Sequence, residues 1–318
     1  MTQISQELSN KISNMSFVCA LMVVFIHLNF GENPTPTMRV VERVIDGGFC
    51  RIAVPFFFVV SGFFLGRHCA EEGWWKRAVL KRFRSILVPF VFWAILSQLV
   101  VMPLAFCANK IAGRFLLANI PLFNSHIVDV LGLNLFHYPT LVPLWYLRSL
   151  FIFVLLSFAL WPILKKAWFI VIPALYFVPR FGSDMAFFAL GMSLGGGVIK
   201  VMCNRFLSLG AAIVGVALIA CGNVCPKIYI PCVLLATWFL MPGAKVLPKW
   251  LSGVSFAIYL MHPIVYNYYE TATRNLHSHS WLTIVIAYVL AVILPIVVAN
   301  IMRLRCPRAY EFLMGGRS

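Results

Sequence analysis

Apolar residues occupy this chain in long blocks, and polar residues gather in the short breaks between them. Windows long enough, or nearly long enough, to cross a bilayer fall at about 15–30, 50–66, 86–107, 142–163, 167–179, 184–200, 206–222, 228–242, 250–269 and 281–302. The pattern predicts an all-α fold: a polytopic membrane helical bundle of about ten transmembrane helices. The fifth and eighth windows are the weakest, and several are short. Local bilayer thinning or burial among neighbours accommodates such lengths. No internal repeat is visible, which disfavours transporters built from duplicated halves. The expected division is a polar N-terminal segment over 1–14, a transmembrane domain over 15–302 and a C-terminal tail over 303–318. No small-residue cleavage site follows the first apolar run, so that run is expected to be a retained helix and not a signal peptide.

Composition sharpens the class. Of 318 residues, 61% are hydrophobic and 11% charged, where a soluble domain carries about 25% charged residues. Mean hydropathy is +0.89. The formal charge of +16 invites a nucleic-acid reading. However, the lysines and arginines sit in short breaks between apolar windows, which fits the positive-inside rule better. With the N-terminus inside, seventeen of the 26 basic residues fall on cytoplasmic segments and eight on outer ones, and Arg148 lies within a span. This bias predicts that both termini are cytoplasmic, with the lipid bilayer and not nucleic acid as the partner. Nine scattered cysteines form no CxxC pair and no His/Cys cluster, so neither a metal site nor a disulfide framework is expected.

Against this apolar background the few polar groups within spans carry information. The run Met15–Phe30 holds one ionisable residue, His27, near its outer end. An imidazole at membrane depth is costly unless it faces a polar interior, and it suits proton transfer near neutral pH. The alternative is a histidine that only hydrogen-bonds a neighbouring helix. The predicted topology places Arg51, Arg148 and His262 at similar depth on three other helices, so the four residues read as one buried polar site. Each arginine can also snorkel to the interface; burial is favoured for Arg148 and stays open for Arg51. Lys76, Arg77, Lys81, Arg82 and Arg84 put five positive charges within nine residues. Charge alone fits an anion site, a topology signal or a contact to anionic lipid equally well. The outer segment from Cys107 to Val142 contains His126, Asp129, Asn134, His137 and Tyr138, and reads as a polar connector or a wall of an acceptor pocket. His68, His277 and His279 read as solvated loop residues.

Five blocks occur in order: SFVCALMVVFIHL, RIAVPFFFVVSGFFL, KRFRSILVPFVFW, PLWYLRSLFIFVLLS and SFAIYLMHPIVY. Together they resemble the integral-membrane acyltransferase-3 family, from the first apolar window to the last. The resemblance implies ten core helices and transfer of an acyl group, often acetyl, from cytoplasmic acyl-coenzyme A. The implied acceptors are hydroxyls of cell-surface glycans or related molecules, and the implied location is a bacterial inner membrane. Acyl-coenzyme A is then a co-substrate and no cofactor is permanently bound. His27 matches the family's helix-1 histidine. Arg51, Ser61 and Gly62 match the helix-2 block, where Gly62 permits close helix approach. Trp145 and Arg148 match the central block, and Tyr259 and His262 the helix-9 block. The basic run matches the family's arginine motif. Two positions depart from the pattern. Ser16 stands where the family has a basic residue, with Lys11 the nearest upstream cation, and Ser85 follows Arg82 at the expected arginine spacing. The family's optional extracellular esterase-like domain is expected to be absent.

The resemblance suggests roles. Lys76, Arg77, Lys81, Arg82 and Arg84 would hold the coenzyme A phosphates. His27 would be the general base, and Arg148, with Arg51 as the second choice, would meet the oxyanion. His262, Tyr259, Trp145 and Ser61 would form an acceptor or secondary site. Direct transfer is favoured over an acyl-enzyme on Cys19 or Ser61, since neither shows a nucleophile–base pairing. The outer acids Glu32, Glu42, Asp46, Asp129, Asp184 and Glu270 include no evident partner for His27. The competing readings are a transporter or flippase of a lipid-linked or anionic solute, and an inactive relative of the family. The acceptor, the acyl group, O- versus N-transfer and the oligomeric state are not fixed by sequence.

Overall fold

The computed structural model describes residues 4–31, 34–97, 142–179, 181–199, 205–220, 226–245, 247–248, 250–273 and 280–316. Among these the secondary structure is helical, without strands. In chain order the helices are α1 (Gln6–Phe25), α2 (Pro36–Val41), α3 (Ala53–Gly66), α4 (Trp74–Arg82), α5 (Leu144–Phe177), α6 (Gly182–Gly195), α7 (Arg205–Ala220), α8 (Pro226–Leu240), α9 (Ser255–Thr273), α10 (Trp281–Arg305) and α11 (Pro307–Leu313). α4 continues through a π-helical turn, Phe83–Leu87, into helical residues 88–97. Among the described residues, four segments are long and apolar enough to cross a membrane: Gln6–Phe25, Pro36–Gly66, Leu144–Phe177 and Trp281–Arg305. Large apolar side chains such as Phe158, Ile213 and Leu304 stand exposed. That is the surface of a protein solvated by lipid. This is a multi-pass membrane protein.

Most of the described helices overlap the apolar windows; α2, α4 and α11 lie outside them, and the window 86–107 is described only to residue 97. α1 begins at Gln6, nine residues before its apolar run. Ser5 caps it by accepting from the Leu8 N–H. Asn14 donates to the carbonyls of Pro242 and Ala244, both at 3.0 Å, and Asn10 to that of Gly243 at 3.1 Å. These bonds give the polar first turns of α1 a reason to stay folded. The expected fourth and fifth windows both lie within α5, which non-helical backbone at Ala167 (φ −138°, ψ 31°) divides into two helices. α11 folds against residues 83–97, where Trp93 Nε1 donates to the Leu313 carbonyl at 3.2 Å and Phe92 meets Phe312 edge-on. The segment 107–141, with its candidate acceptor residues, lies outside the described residues, as do Glu32, His277 and His279.

Two compact units are present. The first comprises Met1–Ile26, Glu32–Leu80 and Ile152–Ser255; the second comprises His27–Gly31, Lys81–Phe151 and Phe256–Ser318. The first is organised on α3 and α6. A methyl built on Gly62 would stand 2.1 Å from the Phe188 carbonyl oxygen, and one on Gly191 would stand 2.0 Å from that of Val59. Gly66 and Gly195 repeat the arrangement one turn on. The two helices therefore meet backbone to backbone, through the small-xxx-small device of membrane helix pairs. Phe58, Phe153 and Phe188 pack beside this contact, with centroids 5.3 and 5.8 Å apart along the series.

Gly191→Ala must push α3 from α6. It should cost about 1–3 kcal/mol as overpacking, read as a lowered thermal midpoint of the detergent-purified protein. An unchanged midpoint would contradict the close contact.

Candidate functional site

The second unit contains His27, Trp145, Arg148, Tyr259 and His262, from three stretches of the sequence. His27 lies in the turn just after α1, not within the helix, and is half-buried. His262 lies on α9 and is fully buried. The two imidazole rings are in contact, with centroids 5.3 Å apart and planes tilted by 35°.

His262 is held in one tautomer. Its Nδ1 stands 2.9 Å from the Ile258 carbonyl oxygen. A carbonyl only accepts, so Nδ1 carries the proton and, in the neutral ring, Nε2 keeps the lone pair. His262 Nε2 has no hydrogen-bond partner among the described residues. A buried imidazole nitrogen left in this state is a proton acceptor or a contact for a hydroxyl donor.

α9 also fixes the surroundings. Tyr259, one turn before His262, donates its hydroxyl proton to the Pro143 carbonyl. It stacks on Phe256 and meets Tyr146 edge-on, with centroids 5.8 and 5.9 Å away. These contacts join α9 to the start of α5, where Trp145 is half-buried and Arg148 is buried at 8% exposure. One turn beyond His262, the Tyr266 oxygen accepts the Asn29 backbone N–H at 2.7 Å and donates its proton to Glu270 Oε1 at 2.9 Å. Tyr266 thereby ties the turn containing His27 to the helix containing His262. Sequence reasoning passed over Tyr266 and left Glu270 among several acids. The signal was available: positions 262, 266 and 270 recur every four residues and share one helix face.

The remaining candidates divide by unit. Lys81, Arg82 and Arg84 belong to the second unit; Lys76, Arg77, Arg51 and Ser61 belong to the first. Lys76, Arg77, Lys81 and Arg84 are exposed, and Arg82 is half-buried. Arg77 is engaged by Glu71 at 2.9 Å, and His68 Nδ1 stands 3.1 Å from the same carboxylate. The hydrogen bond with His68, aided by Arg77, holds the Glu71 carboxyl below its ordinary range. Arg51 is half-exposed and ion-paired with Asp46 at 3.2 Å. Ser61 is half-buried on α3, and Cys19 is fully buried on α1. Among the described residues no group of three or more His, Cys, Asp or Glu side chains gathers as a metal site.

A family profile described as an acyltransferase domain matches residues 11–300. The chain belongs to the acyltransferase-3 family. Neither the comparison with curated proteins nor that with solved structures found a match. Membership supports membrane acyltransferase activity, and the match runs through α1, α3, α5 and α9, which carry or adjoin the candidate residues.

Tyr266→Phe removes the acceptor for the Asn29 N–H and keeps the ring. We expect about a tenfold loss of acyl transfer, the consequence of some 1.4 kcal/mol of misplacement, with helical content and thermal midpoint near wild type. Full activity in this variant would remove Tyr266 as a positioning residue.

Proposed function

We propose that this protein moves an acyl group, acetyl in the simplest case, from cytoplasmic acyl-coenzyme A to a hydroxyl of a cell-surface glycan or related acceptor. The observation that carries the reading is the ring contact between His27 and the fully buried His262, in a chain of the acyltransferase-3 family. The proposal includes ten membrane-spanning helices, both termini in the cytoplasm, and residence in a bacterial inner membrane.

The chemistry runs as direct transfer. His27 takes the proton of the acceptor hydroxyl as its oxygen attacks the thioester carbonyl. The tetrahedral oxyanion is met by Arg148, preferred over Arg51 because Asp46 already occupies the Arg51 fork. Collapse of the intermediate breaks the carbon–sulfur bond, and the proton on His27 passes to the departing sulfur. The products are the acylated acceptor and free coenzyme A. His262 Nε2, with its lone pair, serves as acceptor-hydroxyl contact or proton relay. Two imidazolium rings at this separation would repel, so the pair is suited to carry one proton at a time.

Donor binding falls to the basic run. Lys76, Lys81, Arg82 and Arg84 make no ion pair among the described residues, and so are available to diphosphate oxygens. Arg77 would have to leave Glu71 to join them. Tyr259 and Trp145, of the same unit as His27 and His262, complete the acceptor side of the proposal.

The test is coenzyme A release from acetyl-coenzyme A by the purified protein in nanodiscs, with and without an extract of host surface glycans. Wild type should release coenzyme A only with the extract. His27→Ala should lose at least about a hundredfold, the lower range for a general base. No release from acetyl, succinyl or longer donors by folded wild-type protein would overturn the acyltransferase reading. Undiminished release by His27→Ala would remove His27 from the chemistry.

A further inference from the structure

The first unit contains a cavity of about 380 Å³ whose lining has no role in the reaction above. Its wall is apolar and comes from α1, α3, α6 and α8, including Ile12, Phe56, Phe63, Leu194, Leu234 and Trp238. The volume lies within the range of small-molecule sites. With a wall built almost wholly of hydrocarbon side chains, the cavity suits a hydrocarbon chain and not a sugar or a nucleotide.

Two cations stand on its lining rings. Lys11 Nζ lies 5.0 Å from the Trp238 ring centroid and 5.7 Å from that of Phe239, which also lines the cavity. The Arg67 guanidinium lies 5.9 Å from the centroid of the lining residue Phe63. Lys11 makes no ion pair among the described residues. Its helix is anchored here, because Asn10 and Asn14 on either side of it bond the 242–244 carbonyls. The rim is therefore a fixed feature that presents positive charge beside an apolar hole.

An apolar chain joined to a negative headgroup matches this arrangement. We propose that the cavity binds one anionic phospholipid, with a fatty acyl chain among Ile12, Phe63, Leu234 and Trp238 and the phosphate between Lys11 and Arg67. The charge bias of the sequence puts this end of α1 at the cytoplasmic face, where anionic headgroups attract basic residues. The site lies at the α3–α6 contact and at the base of α1, so its occupant would brace the first unit.

The full-length protein is exchanged into equimolar phosphatidylglycerol and phosphatidylcholine with identical chains, and retained lipid is counted by native mass spectrometry. Wild type should retain one phosphatidylglycerol, preferred by about tenfold. The double variant Lys11→Gln/Arg67→Gln should lose the preference. Leu234→Trp should lose the retained lipid itself. Equal retention of both lipids by wild type, or an unchanged preference in the double variant, would overturn the proposal. Headgroup-blind retention reversed by equimolar palmitoyl-coenzyme A would also overturn it, and would give the cavity to an acyl donor.

Discussion

A protein surrounded by hydrocarbon must satisfy its polar groups from within, and that constraint shapes both units. Water is not available to repair a stray N–H or carbonyl, so each polar side chain in an apolar helix needs a protein partner. Some find one along their own helix: Ser157 donates to the Val154 carbonyl, Thr237 to Val233 and Asn300 to Ile296. Others reach further. Asn14 bonds the 242–244 turn, and Tyr229 donates to the Gly47 carbonyl. Where apolar burial offers no selectivity between helices, small residues supply it, as Gly62 and Gly191 do by letting backbone meet backbone.

The same constraint makes the imidazole pair informative. His262 satisfies one nitrogen along α9 and has no described partner for the other. In hydrocarbon such an arrangement is unfavourable unless something binds there. The neighbours of the pair are held by long-range bonds and not by helix geometry alone. Tyr259 fixes α9 to Pro143, and Tyr266 fixes the turn after α1 to α9. The chemistry is assigned to residues whose positions are built by a supporting layer of tyrosines.

Hydropathy made the helices legible because bilayer burial imposes a length and a composition on each span. It was silent where stability comes from contacts distant in sequence. Gln6–Asn14 is too polar to register, yet it is helical because Ser5 caps it and Asn10 and Asn14 find carbonyls more than two hundred residues away. α11 is too short to stand alone and exists through Trp93 and Phe92. Within the site, His27, Arg148 and His262 stood out as ionisable groups in apolar runs. Tyr266 did not, because a tyrosine near a helix end is unremarkable until its hydroxyl is seen to accept from Asn29. For Arg51 the sequence left burial and snorkelling open; the structure gives it Asp46 and substantial exposure, a pairing that spacing alone did not reveal.

The most direct measurement is a double-mutant cycle on His27 and His262, following transfer of labelled acetyl from acetyl-coenzyme A to acceptor. Groups that act as one unit are strongly non-additive. If the pair forms one proton-handling site, His27→Ala/His262→Ala should be little slower than the worse single variant. Losses that multiply across the two sites, or a His262→Ala variant as fast as wild type, would contradict the account.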